Sequence, residues 1–261
     1  MAEIRRRSII NVWQDVIFAI FLREIRSQFS DKFGVSWGIL NPVIFIFVLS
    51  FFRSQVSGEY THTIPTFIFM MYGMLIIQLF LTTFGASSNA IKKNKALFAF
   101  RQVQPIAAVL ANGFFELIMK TAVIFVLMLI VYFMKIETEL ADPLTILLCI
   151  FLTWLFAVSL GLLFAVAKSF IEEVEKIRVL LQRPLFFISA VFFSLKDIPE
   201  DYWVYLNWNP ILHAIELSRD SAHPSFQAVG VSTEYLSVSV LITVFFAMAC
   251  YRITWKKIIS R

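Results

Sequence analysis

The stretch PLTILLCIFLTWLFAVSLGLLFAVA, Pro143 to Ala167, contains no acidic or basic side chain. At about 1.5 Å of rise per residue, a helix of that length crosses the roughly 30 Å hydrocarbon core of a bilayer. Working outward, comparable runs occur at 106–134, 66–88 and 36–54, and on the other side at 181–195 and 234–255. The 181–195 run is the shortest of the six. Composition agrees: 59% of the 261 residues are hydrophobic, only 16% are charged and mean hydropathy is +0.78. Soluble domains carry about 25% charged residues. The sequence therefore predicts an all-α integral membrane protein, one domain over 1–261. Its six transmembrane helices are five within 36–195 and a sixth at 234–255.

Charge sets the orientation. Of 23 Lys and Arg, six precede Gly34, four lie at 92–101, four at 168–183 and four at 252–261, so eighteen share one side. Cationic loops stay cytoplasmic, which places both termini there. The opposite loops hold Arg53, Lys135, Lys196 and Arg219 beside the acids Glu137, Glu139, Asp142, Asp197, Glu200 and Asp201. Arg5 to Arg7 precede an apolar run of seven residues that Arg23 ends without a small-residue cleavage pattern, so no cleaved signal peptide is expected. Within 13–32, Trp13, Val16, Ile17, Ile20, Phe21, Ile25 and Phe29 recur at helical spacing, with Arg23 and Arg26 among them. That pattern suits an amphipathic helix lying in the membrane interface.

The residues of enzymatic chemistry are sparse. Cys149 and Cys250 fall inside apolar runs and offer neither a disulfide framework nor a metal spacing. No glycine is followed by lysine, so there is no phosphate-cradling G-x-x-x-x-G-K-[ST] loop. His62, His213 and His223 form no H-E-x-x-H pattern, and no hydrolase nucleophile elbow is expected. Glu116 and Lys120 are the one ionisable pair inside a span, at the i, i+4 spacing that lets each offset the other's burial. A structural pair fits them better than a proton relay. A membrane-embedded transferase would need an acid–base cluster that the sequence does not offer, so no enzyme activity is expected of this chain.

Three stretches together resemble a known family: FLREIRSQFSDKFGVSWGILNP (Phe21 to Pro42), NKALFAFRQVQPI (Asn94 to Ile106) and PLFFISAVFFSLKDIPEDYWVYLNWNPILHAIELSRD (Pro184 to Asp220). The chain is similar over nearly its whole length to the permease subunits of ABC-2-type polysaccharide exporters. Within that group it most resembles the KpsM-type capsular polysaccharide permeases of Gram-negative bacteria. Asn41 stands where many capsule permeases carry glutamate and where O-antigen and teichoic-acid permeases often carry asparagine. O-antigen or teichoic-acid export therefore stays open as an alternative, with ABC-2 drug or lipid export further off.

The resemblance implies the ABC-2, type V exporter fold in a bacterial inner membrane. It implies a homodimer bound to a dimer of separate ATPase subunits that carry ATP and Mg, and a lipid-linked polysaccharide substrate. A periplasmic co-polymerase and an outer-membrane polysaccharide channel are further implied partners; nucleic acid is not. Under this resemblance the connectors at 91–104 and 170–180 couple to the ATPase through Lys92, Lys93, Lys95, Phe98, Arg101, Glu172, Glu173 and Lys176. The same charges fit ordinary positive-inside loops. Trp37, Asn41, Phe45, Arg23, Arg26 and Arg101 become candidates for the polymer's entrance and pore. Residues 197–222 become two re-entrant gate helices, with Asn209 and Pro210 opening the second. Its polar stripe carries His213, Glu216 and Asp220, while Ile211, Leu212, Ile215 and Leu217 supply the apolar surface. Asn207 belongs to this gate, Trp203 and Trp208 are expected to set its depth, and Glu216 with Arg219 to hold it together.

Overall fold

The computed structural model describes residues 9–29, 34–100 and 102–259. Among these, eight α-helices dominate: α1 (Ile9–Phe29), α2 (Gly34–Ser57), α3 (Thr66–Lys93), α4 (Pro105–Phe133), α5 (Pro143–Lys168), α6 (Val174–Ile188), α7 (Pro210–Ala222) and α8 (Thr233–Ile259). A two-stranded antiparallel hairpin, β1 (Tyr60–Thr61) with β2 (Ile64–Pro65), joins α2 to α3. Short 3-10 turns occupy Lys95–Ala99, Leu195–Asp197, Glu200–Tyr205 and Pro224–Phe226.

Five helices, α2, α3, α4, α5 and α8, are long and apolar enough to cross a membrane. They cover the runs expected at 36–54, 66–88, 106–134, 143–167 and 234–255. The run at 181–195 behaves differently. Its helix, α6, begins at Val174 and stops at Ile188, and fifteen residues give only about 22 Å. It ends because Ala190 adopts φ 59, a left-handed conformation that a right-handed helix cannot include. The chain then bends through 189–192 before the Leu195 turn. A helix, α1, covers 13–29 of the stretch expected at 13–32, and 30–32 lie outside the described residues.

α3 is the pillar of the bundle. Of its most apolar stretch 78% is buried, against 17% for α2 at the edge. It packs against α5 and α4, while α8 lies on α5 and α1 on α4. In a bilayer, lipid tails compete equally for apolar surface, so close backbone approach must supply the contact. Small residues provide it here. A Cβ on Gly161 would lie 2.3 Å from Ser87 Cβ, and one on Gly113 would lie 2.7 Å from Val158 Cγ2. The Trp154 indole N–H donates to the Gly113 carbonyl at 2.7 Å, tying α5 to α4.

The bundle has two dissimilar ends. At the connector end, Ile20, Ile91, Phe98, Ile106, Leu162, Tyr251 and Ile258 share one core cluster. At the hairpin end, His62 and Thr63 form a two-residue turn with φ 50 and 70, the positive pair that a type I′ turn demands. Neither is the usual asparagine or glycine, and the turn is held from outside. His62 meets Asp197 at 2.9 Å and the Thr63 hydroxyl reaches Ser225 at 3.2 Å.

Candidate functional site

α7 begins where Pro210 fixes φ and the Asn209 side chain accepts the Ile211 N–H at 3.0 Å. The Asn209 amide also donates to the Ser189 hydroxyl at 2.8 Å, anchoring the cap to the end of α6. A helix with His213, Glu216 and Asp220 on one stripe reads as half solvated. The structure differs: none of the thirteen residues of α7 is exposed, and His213, Glu216 and Arg219 are buried with the apolar residues. The stripe faces protein, not water.

Its centre is Arg219, 0% exposed. The guanidinium meets Glu216 Oε1 at 2.8 Å and donates to four backbone carbonyls: Phe69 at 3.1 Å, Ala190 at 2.8 Å, Val191 at 2.9 Å and Phe193 at 3.2 Å. Its carbon lies 3.5 Å from the Phe69 ring centroid, a cation–π contact. Glu216 accepts in addition from the Ser194 hydroxyl at 2.7 Å and from the Leu195 N–H. The non-helical turn after α6 frees carbonyls that need donors, and Arg219 supplies them. One side chain thus ties α3, the 190–194 bend and α7 together. Gly73 leaves the necessary room, since a Cβ there would stand 2.6 Å from Arg219 Nη2.

His213 ties α7 to the approach of α8. Its Nδ1 accepts the Ser232 N–H at 2.9 Å, so the proton sits on Nε2, which donates to the Asn207 carbonyl at 2.8 Å. The ring stacks on Tyr235 with centroids 4.6 Å apart, and burial lowers its pKa below the ordinary histidine value. Asp220 accepts the Ala228 N–H at 2.8 Å. Trp203 donates to the Ile198 carbonyl at 2.8 Å and packs under Gly230, whereas Trp208 is exposed with its N–H on the Tyr205 carbonyl. The first of the two expected gate helices is a 3-10 segment, Glu200–Tyr205, with Tyr202 and Tyr205 exposed.

At the connector end the two charged loops meet. Lys92 and Glu172 pair at 3.5 Å, both largely exposed, and Lys93 pairs with Glu24 of α1. Glu175 is the better-held acid. Arg178 at 2.5 Å, with Lys168 at 2.8 Å, holds its carboxyl down to about 2. Lys168 also bonds Asn89 on α3. A cavity of about 310 Å³ separates the loops, lined by Lys92, Lys95, Lys168 and Glu172. Lys95, Glu173 and Lys176 are exposed, while Phe98 is buried beneath them and lines the apolar side of the same cavity. Arg101 lies outside the described residues.

A second cleft, about 340 Å³, opens between α2, α3 and α4 and brings Trp37 and Asn41 together with Thr82, Glu116 and Lys120. Glu116 and Lys120 lie within electrostatic range of each other, and Gln78 Oε1 lies 3.4 Å from Lys120 Nζ, while the Thr82 hydroxyl donates to the Gln78 carbonyl at 2.8 Å. Phe45 sits exposed on α2, and Arg23 and Arg26 are exposed on α1, away from this cleft's lining. No nucleophile elbow is expected, yet Gly34 to Gly38 spells G-x-S-x-G. Those residues lie inside α2 and not at a strand-to-helix turn, and His62 stands past the far end of that helix, so no triad forms. Among the described residues no group of His, Cys, Asp and Glu can hold a metal.

Sequence reasoning missed Gly73, Ser189, Ser194 and the bend carbonyls. Only the glycine within the apolar run of α3 left a trace, as a point of close approach.

These features define a multi-pass helical membrane protein with a charged connector end and, opposite, a helix locked by a buried ion pair. The family model for ABC-2 type transporters matches residues 15–222, and the chain belongs to that family. It is 34% identical over 247 residues to the polysialic acid transport protein KpsM of Escherichia coli, covering 94% of this chain and 96% of that one. The capsule polysaccharide export inner-membrane protein CtrC of Neisseria meningitidis is 22% identical over 90% of this chain and 89% of its own. BexB of Haemophilus influenzae, described in the same words, is 24% identical over 87% and 86%.

Proposed function

We propose that the chain is the transmembrane permease subunit of an ATP-driven exporter that moves capsular polysaccharide across the bacterial inner membrane. The observation that carries this reading is similarity to capsule export proteins along nearly the whole chain, connectors and α7 included. In this reading the permease is a homodimer, two ATPase subunits bind ATP and Mg, and both termini are cytoplasmic. The Lys92–Glu172 contact and the Lys168–Glu175–Arg178 cluster gather the connectors into one charged surface, suited to docking an ATPase. α2, mostly uncovered and rich in aromatic rings, suits a partner copy and a sliding surface for sugar faces. A periplasmic co-polymerase and an outer-membrane channel complete the route for the lipid-linked polymer.

Six crossings also fit this reading. The segment 175–197 is tied near one end of α3 by Lys168 and Asn89, and near the other by the Asp197–His62 pair. α6 and the bend together therefore cover a path that α6 alone is too short to cover. Residues 197–222 then form a re-entrant gate on the outer side, α7 its inner helix. Deleting the gene tests the proposal. The strain should lose surface polysaccharide while polymer accumulates inside, and a plasmid copy should restore it. Unchanged surface polysaccharide would overturn the reading.

A further inference from the structure

Ionisable side chains within a span are costly to bury unless paired, and Glu116 with Lys120 occupies the middle of α4. Lys120 lies fifteen residues from the start of α4, about 22 Å along its axis, and is 5% exposed. An ammonium has three N–H donors; Lys120 makes one long hydrogen bond, 3.4 Å to Gln78, and lies within electrostatic range of Glu116 one turn away, which leaves N–H donors for a ligand. Glu116, one turn before Lys120 on the same helix, supplies carboxylate acceptors to the same cleft. Both line the same 340 Å³ cleft, whose opposite wall on α2 presents the Asn41 carboxamide and the Trp37 indole, 62% exposed. Gly38 keeps that wall close, since a Cβ there would be 3.1 Å from Met119 Cε. The volume falls within the roughly 300–1,000 Å³ of ligand pockets.

This set of groups has one chemical complement. A flat ring offers a surface for sugar C–H faces, a carboxylate and a carboxamide accept from hydroxyls, and a spare ammonium takes a carboxylate. We propose that the cleft between α2, α3 and α4 binds one acidic sugar unit of the polymer, with Lys120 on its carboxylate, Glu116 and Asn41 on its hydroxyls, and Trp37 against its ring. The cleft's own charges cancel, so a unit that is itself anionic relies on the single cation. Neutral sugars lack that anchor. The proposal rests on the export reading and narrows it to a position and a charge.

The test uses the full chain in phosphatidylcholine nanodiscs, where no lipid is anionic, titrated calorimetrically with a sialic acid hexamer and with neutral maltohexaose. The wild-type chain should bind the acidic hexamer, and maltohexaose at least about tenfold more weakly. Lys120→Met should weaken the acidic ligand by about tenfold or more, the scale of a lost charge-assisted bond. Trp37→Ala, at an exposed position, should weaken the acidic ligand by removing the ring's stacking surface, and it carries the test if Lys120→Met does not fold. Equal affinity for the two sugars, or unchanged affinity in both variants, overturns the site. Wild-type chain that binds no hexamer while its vesicles still export also overturns the site and leaves export standing. Binding with this pattern in a chain that exports nothing upholds the site and removes the export reading.

Discussion

Replacing Arg219 with alanine should open the hairpin end of the bundle. The substitution leaves Glu216 buried with only the Ser194 hydroxyl and the Leu195 N–H, and orphans the bend carbonyls of Ala190, Val191 and Phe193. Removing one partner of a buried ion pair costs roughly 3–5 kcal/mol, and each unsatisfied buried acceptor about 1–3 kcal/mol more. Water entering the vacated space beside Gly73 re-solvates the carbonyls and offsets most of their share, so the ion-pair share of about 4 kcal/mol remains. At 1.4 kcal/mol per decade, local opening becomes about a thousandfold more frequent. Hydrogen exchange of the α7 amides in detergent reads that opening directly. Protection should collapse in α7 and the 190–194 bend while the central turns of α3 and α5 keep theirs. Arg219→Lys should recover little, because one ammonium cannot serve a carboxylate and four diverging carbonyls. The double change Arg219→Met with Glu216→Met should be milder than Arg219→Ala alone, since it removes both charges. Less than a tenfold change in α7 exchange for Arg219→Ala would refute the assignment of Arg219 as the tie between α3, the bend and α7.

Gly73→Ala should act on the same tie from α3. Its Cβ would press Arg219 Nη2 and the Val191 carbonyl, so a loss of about 1–3 kcal/mol is expected as a lowered thermal midpoint. His213 must be neutral to accept the Ser232 N–H, and burial depresses its folded pKa. Its contribution is therefore complete above the unfolded value of about 6.5 and is lost as pH falls below it toward the folded value. Between pH 7 and 5 the Ser232 amide should lose protection, and His213→Gln should flatten that dependence. Glu172→Lys breaks a pair exposed on both sides, so fold stability should move by less than about 1 kcal/mol, while co-purification with the ATPase subunit should fall. Glu175 runs the same way as His213 but at lower pH. Its carboxyl is held down to about 2, so its pairing persists at neutral pH and is lost as pH falls from the unfolded carboxylate range toward that value.

The five long spans were legible because a bilayer demands about twenty apolar residues in a row, and little else in a sequence looks like that. The end of α6 was not. Ala190 is an ordinary helix former, and its positive φ is set by the bend that Arg219 stabilises from 29 residues away. α7 was legible as a capped helix, through Asn209 and Pro210, but its surroundings were not. A wheel that puts His213, Glu216 and Asp220 on one stripe says they share a face, and cannot say whether that face meets water or the carbonyls of another element. Phe98 shows the converse. Surrounded by lysines and an arginine, it reads as surface, yet it turns inward to the core shared with α8. Glu116 and Lys120 have the spacing of a pair and remain within electrostatic range of each other, but only the position of Gln78 on α3 reveals that Lys120 also reaches a second helix.

The most direct measurement is reconstitution of the purified chain with its ATPase subunit in sealed vesicles, loaded on the ATPase side with acidic lipid-linked polysaccharide. The account predicts that polymer crosses the membrane unmodified, only with hydrolysable ATP, and that Arg219→Ala vesicles hold as much permease but export poorly. Glycan that is chemically altered but stays where it was, or movement that proceeds equally without ATP, would contradict it.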